Sequence, residues 1–238
     1  MSTDLQQEIG PRLISLDGPS ASGKSTLARR LAASFDLEVV PELRDWVKGR
    51  FPPRPLTLDE YVVRQRWFLQ ADLERHEFAA NAMNEGKSAL IDRGPLEHFR
   101  FQYACAAAGQ WPPAIEVLDE VVEVIRDGRL QLPELVLFLD VSRDHCIARQ
   151  SAEQQRRIRG RDNFDETFFA AERAFMLDVL RPHWPSVKVI DGNADAEQVF
   201  ACAHEVLEKE VDDHAVDVEL LLEHAAAAVR RWCNGNEA

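Results

Sequence analysis

No stretch of this 238-residue chain approaches the roughly 20 consecutive apolar residues that a helix needs to cross a bilayer, so no membrane span is expected. Cysteine is scarce. Cys105, Cys146, Cys202 and Cys233 lie far apart in apolar flanks, which argues against a disulfide framework and for reduced, partly buried thiols. Positive charge is also in short supply: 28 Lys and Arg face 41 Asp and Glu, a formal charge of −13. A broad grip on nucleic acid, which requires clustered cations, is excluded, and the ligand should be small. The first ten residues lack the basic-then-apolar order of a signal peptide, so a cytoplasmic protein is expected. There is no internal repeat, and no Asn-Lys-x-Asp segment that would read guanine in a nucleotide switch.

What the chain does have is Gly18-Pro19-Ser20-Ala21-Ser22-Gly23-Lys24-Ser25-Thr26, which fits the phosphate-cradling pattern of glycine, four residues, then Gly-Lys-Ser. Leu13 to Asp17 reads as a buried strand before it, and Leu27 to Phe35 carries apolar residues at helical spacing after it. Gly18 and Gly23 allow a tight turn that aims backbone N–H groups, with the positive end of the helix, at phosphate oxygens. Lys24 supplies a mobile charge for the outer phosphates, Ser25 a hydroxyl for Mg²⁺, and Thr26 an inner-phosphate contact. Bound ATP and Mg²⁺ are therefore expected.

Strand-like runs recur at Leu13 to Asp17, Leu37 to Val40, Ser88 to Ile91, Leu135 to Leu139 and Val187 to Ile190, separated by helix-periodic sequence. This alternation implies an α/β fold, a parallel five-stranded sheet with helices on both faces. Leu58 to Glu85, Pro95 to Ala108 and Pro113 to Asp127 read as helices, with Gly86, Gly109 and Gly128 near their ends. Three prolines between Gly49 and Leu58 mark an irregular loop. Asp213 to Trp232 reads as a further helix; packing against the domain is the plainer reading and a homodimer interface the alternative.

In doubly wound sheets the ligand crevice lies at the carboxyl ends of strands. Three places qualify. Glu42 follows the second strand and could accept the proton of an attacking hydroxyl, or merely pair with Arg44 or Arg54. Asp92-Arg93 ends the third strand: Asp92 suits the water shell of Mg²⁺, while Arg93 suits a clamp on the transferred phosphoryl group, a structural salt bridge being the alternative. The run Arg156-Arg157-Ile158-Arg159-Gly160-Arg161 reads as a flap over phosphates rather than a solvated face, given the phosphate loop. Arg149 could stack on adenine. On the long helix Arg64, Gln65 and Phe68 could line an acceptor pocket, although a stripe of Tyr61, Trp67, Phe68 and Leu69 is more often core.

The order of phosphate loop, Glu42, Asp92-Arg93, strand Val136 to Asp140 and arginine-rich segment resembles the thymidylate kinase and deoxynucleoside kinase group of P-loop phosphotransferases. The resemblance spans about residues 10 to 210. Val39-Val-Pro-Glu-Leu-Arg-Asp-Trp46 is similar to the deoxynucleoside kinase segment in which a glutamate base is followed by a tryptophan. Ile190 to Asp195 resembles the thymidylate kinase loop that lies against adenine, which implies a nucleotide contact for Asn193. Arg159 and Arg161 match lid arginines. Three departures stand out: Pro41-Glu-Leu-Arg44 lacks the glycines of thymidylate kinases, the tryptophan is one residue closer to Glu42, and Asp92-Arg93-Gly94 replaces Glu-Arg-Ser.

The resemblance implies a kinase domain over residues 1–211 with a lid at about 150–165, and a C-terminal helical extension over 212–238 packed on it. The implied reaction is γ-phosphoryl transfer from ATP to a nucleoside or nucleoside monophosphate. A non-nucleoside hydroxyl acceptor, or a regulatory ATP-binding protein without an acceptor, are the alternatives.

Overall fold

Five short runs of aliphatic residues form the strands β1 (Leu13–Asp17), β2 (Glu38–Val40), β3 (Ala89–Asp92), β4 (Leu135–Asp140) and β5 (Val187–Asp191). The computed structural model describes residues 11–150, 165–209 and 216–234. All five strands pair in parallel in the order β2-β3-β1-β4-β5. Every residue of β1 and β3 is buried, Ser15, Asp17 and Asp92 included, as central strands are when helices cover both faces of a parallel sheet. The chain crosses over β3 to reach β2 and returns, so the carboxyl ends of β1 and β3 lie side by side at the centre.

The helices are α1 (Lys24–Phe35), α2 (Leu43–Trp46), α3 (Leu58–Asn84), α4 (Glu97–Ala107), α5 (Ile115–Arg126) and α6 (Arg143–Ala148). They are followed by α7 (Glu166–Ala174), α8 (Ala196–Glu208) and α9 (Val218–Asn234). On one face of the sheet, Leu27 and Leu31 of α1 and Val199 and Ala203 of α8 pack on Leu16, Leu137 and Leu139. On the other, Phe99, Val121, Phe175, Leu221 and Val229 close around Phe138. The helix α9 thus joins the main core, with Leu221, Ala225 and Val229 fully buried.

The expected five-stranded parallel sheet is the one observed, with ends displaced by a residue or so. Three helix starts move further. The expected Pro95 to Ala108 helix begins at Glu97, after a turn in which the Glu97 N–H donates to Gly94 O at 3.1 Å, and the expected Pro113 to Asp127 helix begins at Ile115. The expected Asp213 to Trp232 helix begins at Val218, where the Asp217 carboxylate accepts the N–H of Leu220 at 3.0 Å. The long helix α3 starts where Thr57 accepts from the Glu60 N–H at 3.2 Å, while the Glu60 carboxylate accepts from Leu56 N–H at 2.7 Å. No described helix is long and apolar enough to cross a membrane.

Candidate active site

The phosphate loop leaves β1 at Gly18 and enters α1 at Lys24. A Cβ on Gly18 would lie 2.8 Å from the carbonyl oxygen of Leu139, and Gly18 and Gly23 hold φ of +145° and +101°, so both positions exclude ordinary side chains. Ala21 also holds a positive φ, +63°. The Lys24 ammonium is buried and donates to the carbonyls of Gly18 at 3.0 Å and Pro19 at 2.9 Å, with the Ser22 hydroxyl at 3.5 Å. Burial, then the adjacent Arg93, hold its pKa below the usual lysine range. Ser20 stands on the same loop, and the Thr26 N–H closes the first turn of α1 onto Gly23.

The register of β1 against β3 places Leu16 beside Asp92. Asp92 therefore reaches the start of α1, where the Ser25 hydroxyl donates to its Oδ2 at 2.9 Å. Burial, with the nearby Glu42, raises the Asp92 pKa against the pull of Lys24. Its other oxygen, Oδ1, is buried without a hydrogen-bond partner among the described residues. A hydroxyl and a carboxylate with an unsatisfied buried oxygen are a fitting pair for Mg²⁺, which takes few protein ligands and completes its shell with water and phosphate. Among the described residues no cluster of three or more His, Cys, Asp or Glu competes for a metal.

Arg93 is the hub. It donates to Glu42 Oε1 at 3.1 Å and to Glu97 Oε1 at 2.6 Å, and its Nη2 lies 3.4 Å from the Ser20 hydroxyl of the phosphate loop. Burial alone would lower the guanidinium pKa, but Glu97 and Glu42 more than reverse this and keep it charged. Burial pushes Glu42 up, yet Arg93 and Lys24 outweigh it and leave the carboxylate below the ordinary glutamate range. The network continues inward: Glu97 also pairs with Arg100, whose guanidinium lies 3.5 Å from Asp17 and 3.8 Å from Glu172. Burial raises the pKa of Glu172. Holding Arg93 in its left-handed conformation (φ +73°) costs about 1–2 kcal/mol, which the surrounding bonds must offset.

Of the three residues expected on α3, Gln65 is buried. Phe68 is half-buried against Phe51, and the Arg64 guanidinium lies 5.4 Å over the Phe68 ring. Tyr61 and Leu69 join the core, Tyr61 stacked on Trp111 at 5.1 Å. Beside α2, which directly follows Glu42, a cavity of about 330 Å³ is lined by Trp46, Val47, Arg50, Trp67, Gln70, Ala71 and Glu74.

Sequence reasoning missed the polar residues that α3 and α4 bury at the strand ends. Arg75 donates to the carbonyls of Pro41 at 3.0 Å and Asp92 at 2.5 Å, and pairs with Asp72. Asp72 in turn lies 2.8 Å from His98 Nε2. Asp72, Arg75 and His76 lie at helical intervals within the buried stripe of α3, but spacing alone does not separate such polar residues from a solvated helix face.

The Arg149 Nη1 donates to Ser22 O at 2.8 Å and its Nη2 to Gly192 O at 2.7 Å, tying the phosphate loop to the turn after β5. Asn193 lies in that turn, accepting the Ser142 N–H at 2.8 Å and donating to Asp191 at 3.0 Å. Arg156, Arg157, Arg159 and Arg161 lie outside the described residues.

The family model described as an AAA domain matches residues 13–188. A cytidylate kinase from Acidiphilium cryptum is 28% identical over 84% of this chain and 96% of its own. A thymidylate kinase from Xanthomonas euvesicatoria pv. vesicatoria is 28% identical over 85% of this chain and 86% of its own. Among solved structures, a deoxyadenosine kinase from M. mycoides superposes with a TM-score of 0.58 at 17% identity, covering 82% of this chain and 98% of that one. A thymidylate kinase from Candida albicans does so with the same TM-score and identity, covering 84% and 92%. The five-stranded parallel sheet with its helices matches the P-loop NTPase kinase fold of these structures.

Proposed function

The chain belongs to the AAA-domain family of P-loop proteins, and on that footing we propose that it is an ATP-dependent kinase transferring the γ-phosphoryl group to a nucleoside or nucleoside monophosphate. The observation that carries the reading is Arg93, held between Glu42 on the acceptor side and Ser20 of the phosphate loop on the donor side. The cytidylate, thymidylate and deoxyadenosine kinases that the chain resembles support the same class of reaction.

Catalysis here is positioning plus charge stabilisation. The loop N–H groups of Gly18 to Thr26 receive the phosphates. Lys24 exchanges its loop carbonyls for the outer phosphate oxygens. Ser25 and Asp92 would hold Mg²⁺, which when bound would offset negative charge on the phosphates. Arg93 offsets charge on the phosphoryl group in transit. Glu42 is a carboxylate at neutral pH, so it can orient an acceptor hydroxyl and take its proton as the new P–O bond forms. With a phosphate acceptor it binds rather than abstracts. Arg64, Gln65 and Phe68, with the cavity beside α2, form the acceptor side. Arg149 and Asn193 brace the donor side, and Arg157, Arg159 and Arg161 are assigned to it from sequence.

The test is phosphotransfer from Mg-ATP to a panel of nucleosides, nucleoside monophosphates and unrelated hydroxyl compounds. We expect transfer to a nucleoside or its monophosphate. Transfer only to a sugar, vitamin precursor or antibiotic would refute the acceptor class, and ATP binding with no transfer at all would refute the kinase. Glu42→Gln should lower the rate about 100-fold on a hydroxyl acceptor and far less on a phosphate acceptor.

A further inference from the structure

We propose that Arg75 is a positioning residue that fastens the two acidic strand ends of the site and, through the Asp92–Arg93 peptide, aims Arg93 over the phosphate loop. Arg75 is 2% exposed, and it donates to the two strand-end carbonyls and to Asp72. One arm reaches the Pro41 carbonyl, immediately before Glu42. Another reaches the Asp92 carbonyl. The third is held by Asp72, itself paired with His98 of α4.

The bond to Asp92 matters most. The peptide joining Asp92 to Arg93 is gripped at both ends: its carbonyl accepts from Arg75 of α3, and its N–H donates to Leu16 O of β1 at 3.1 Å. Rotating that single peptide would release Arg93 from its φ of +73°, but would break both bonds and swing the guanidinium away from Glu42 and Ser20. The strained turn persists because Arg75 and β1 over-determine it. A lysine cannot replace this grip, since one ammonium cannot donate along the three fixed directions of a guanidinium fork. The geometric claim stands on the fold alone; its consequence for transfer rests on the kinase reading above.

The experiment compares wild type with Arg75→Lys and Asp72→Asn in three readouts: hydrogen exchange of the Arg93 amide, ATP affinity with and without Mg²⁺, and transfer rate. In Arg75→Lys the Arg93 amide should exchange about tenfold faster while core strand amides keep their protection. Metal-free ATP affinity should stay within about twofold, because the Gly18 to Thr26 loop is untouched, while the gain in affinity conferred by Mg²⁺ falls about tenfold. Transfer should lose about 30-fold in kcat with little change in KM for ATP.

A merely structural arginine would lower melting temperature and both ATP affinities together. Wild-type Arg93 exchange and an intact Mg²⁺-dependent gain in folded Arg75→Lys would overturn the proposal. Should Arg75→Lys not fold, Asp72→Asn decides, with the same signs and smaller size expected and no change counting against. If wild type transfers nothing, the kinase reading fails, while the exchange and Mg²⁺ readouts still judge Arg75.

Discussion

His76 is a buried group whose charge depends on pH. Neither ring nitrogen has a hydrogen-bond partner among the described residues, and burial, with Arg75 and His98 adding to it and Asp72 opposing, lowers its pKa from 6.5 to about 4. The unfolded chain therefore binds a proton between those values that the folded one refuses, so stability is lost as pH falls through that window. The loss is at most about 3 kcal/mol for this one group. Asp92 and Glu172, whose pKa values are raised, act in the opposite direction. They cancel when wild type is compared with His76→Gln. Urea unfolding at a series of pH values should show wild type losing more stability than the variant from pH 7 to 4.5; parallel slopes would show that His76 is not the titrating group.

At the same scale, the phosphate loop was fully legible because its chemistry demands fixed residue types at fixed spacing. Gly18→Ala should be severely destabilising, since the added Cβ meets the Leu139 carbonyl at 2.8 Å. A loss of several degrees in melting temperature is the expected result. Arg75 was not legible. Nothing in a sequence distinguishes a buried arginine from a solvated one until the partner helix and strand ends are placed.

Among the elements, α3 and α9 show what periodicity can and cannot reveal. Apolar spacing located both helices, and the amphipathic run with Gly86 after it bounded α3 to within a residue. Spacing could not say which stripe of α3 met the strand ends, because Gln65, Asp72, Arg75 and His76 look like surface residues and are buried. For α9 the sequence left packing and dimerisation both open, and the structure sets Leu221, Leu222, Ala225 and Val229 in the core shared with α4, α5 and the helical segment Phe175–Leu180 that follows α7. Ion pairs from Arg126 to Glu219 and Arg230 to Asp119 flank it, but exposed pairs contribute little. Leu221→Ala should therefore destabilise by about 2–4 kcal/mol in denaturant unfolding. ATP affinity should be unchanged, since α9 lies on the face away from α1.

For the molecule as a whole, strand order explains why residues from three distant segments meet. Parallel pairing in the order β2-β3-β1-β4-β5 brings the loop after β1 beside the end of β3 and, one strand further, the end of β2. The alternation of strands and helices in the sequence implied the layers but could not supply that order, which is decided by crossover packing. The phosphate loop, the proposed donor half, was thus readable from motif spacing, whereas the proposed acceptor half depends on how α2 leans against α3 around the Trp46 and Trp67 cavity.

The most direct measurement is the single-turnover rate of γ-phosphoryl transfer from Mg-ATP to the best acceptor, wild type against Arg93→Ala, with folding and ATP binding verified for both. A guanidinium that stabilises the phosphoryl group in transit should be worth about 1000-fold, as bridging arginines are in other phosphoryl-transfer sites. A loss of that order with ATP affinity nearly retained is the expected result. Transfer by Arg93→Ala at the parent rate would contradict the assignment of this strand-end site as the phosphotransfer centre.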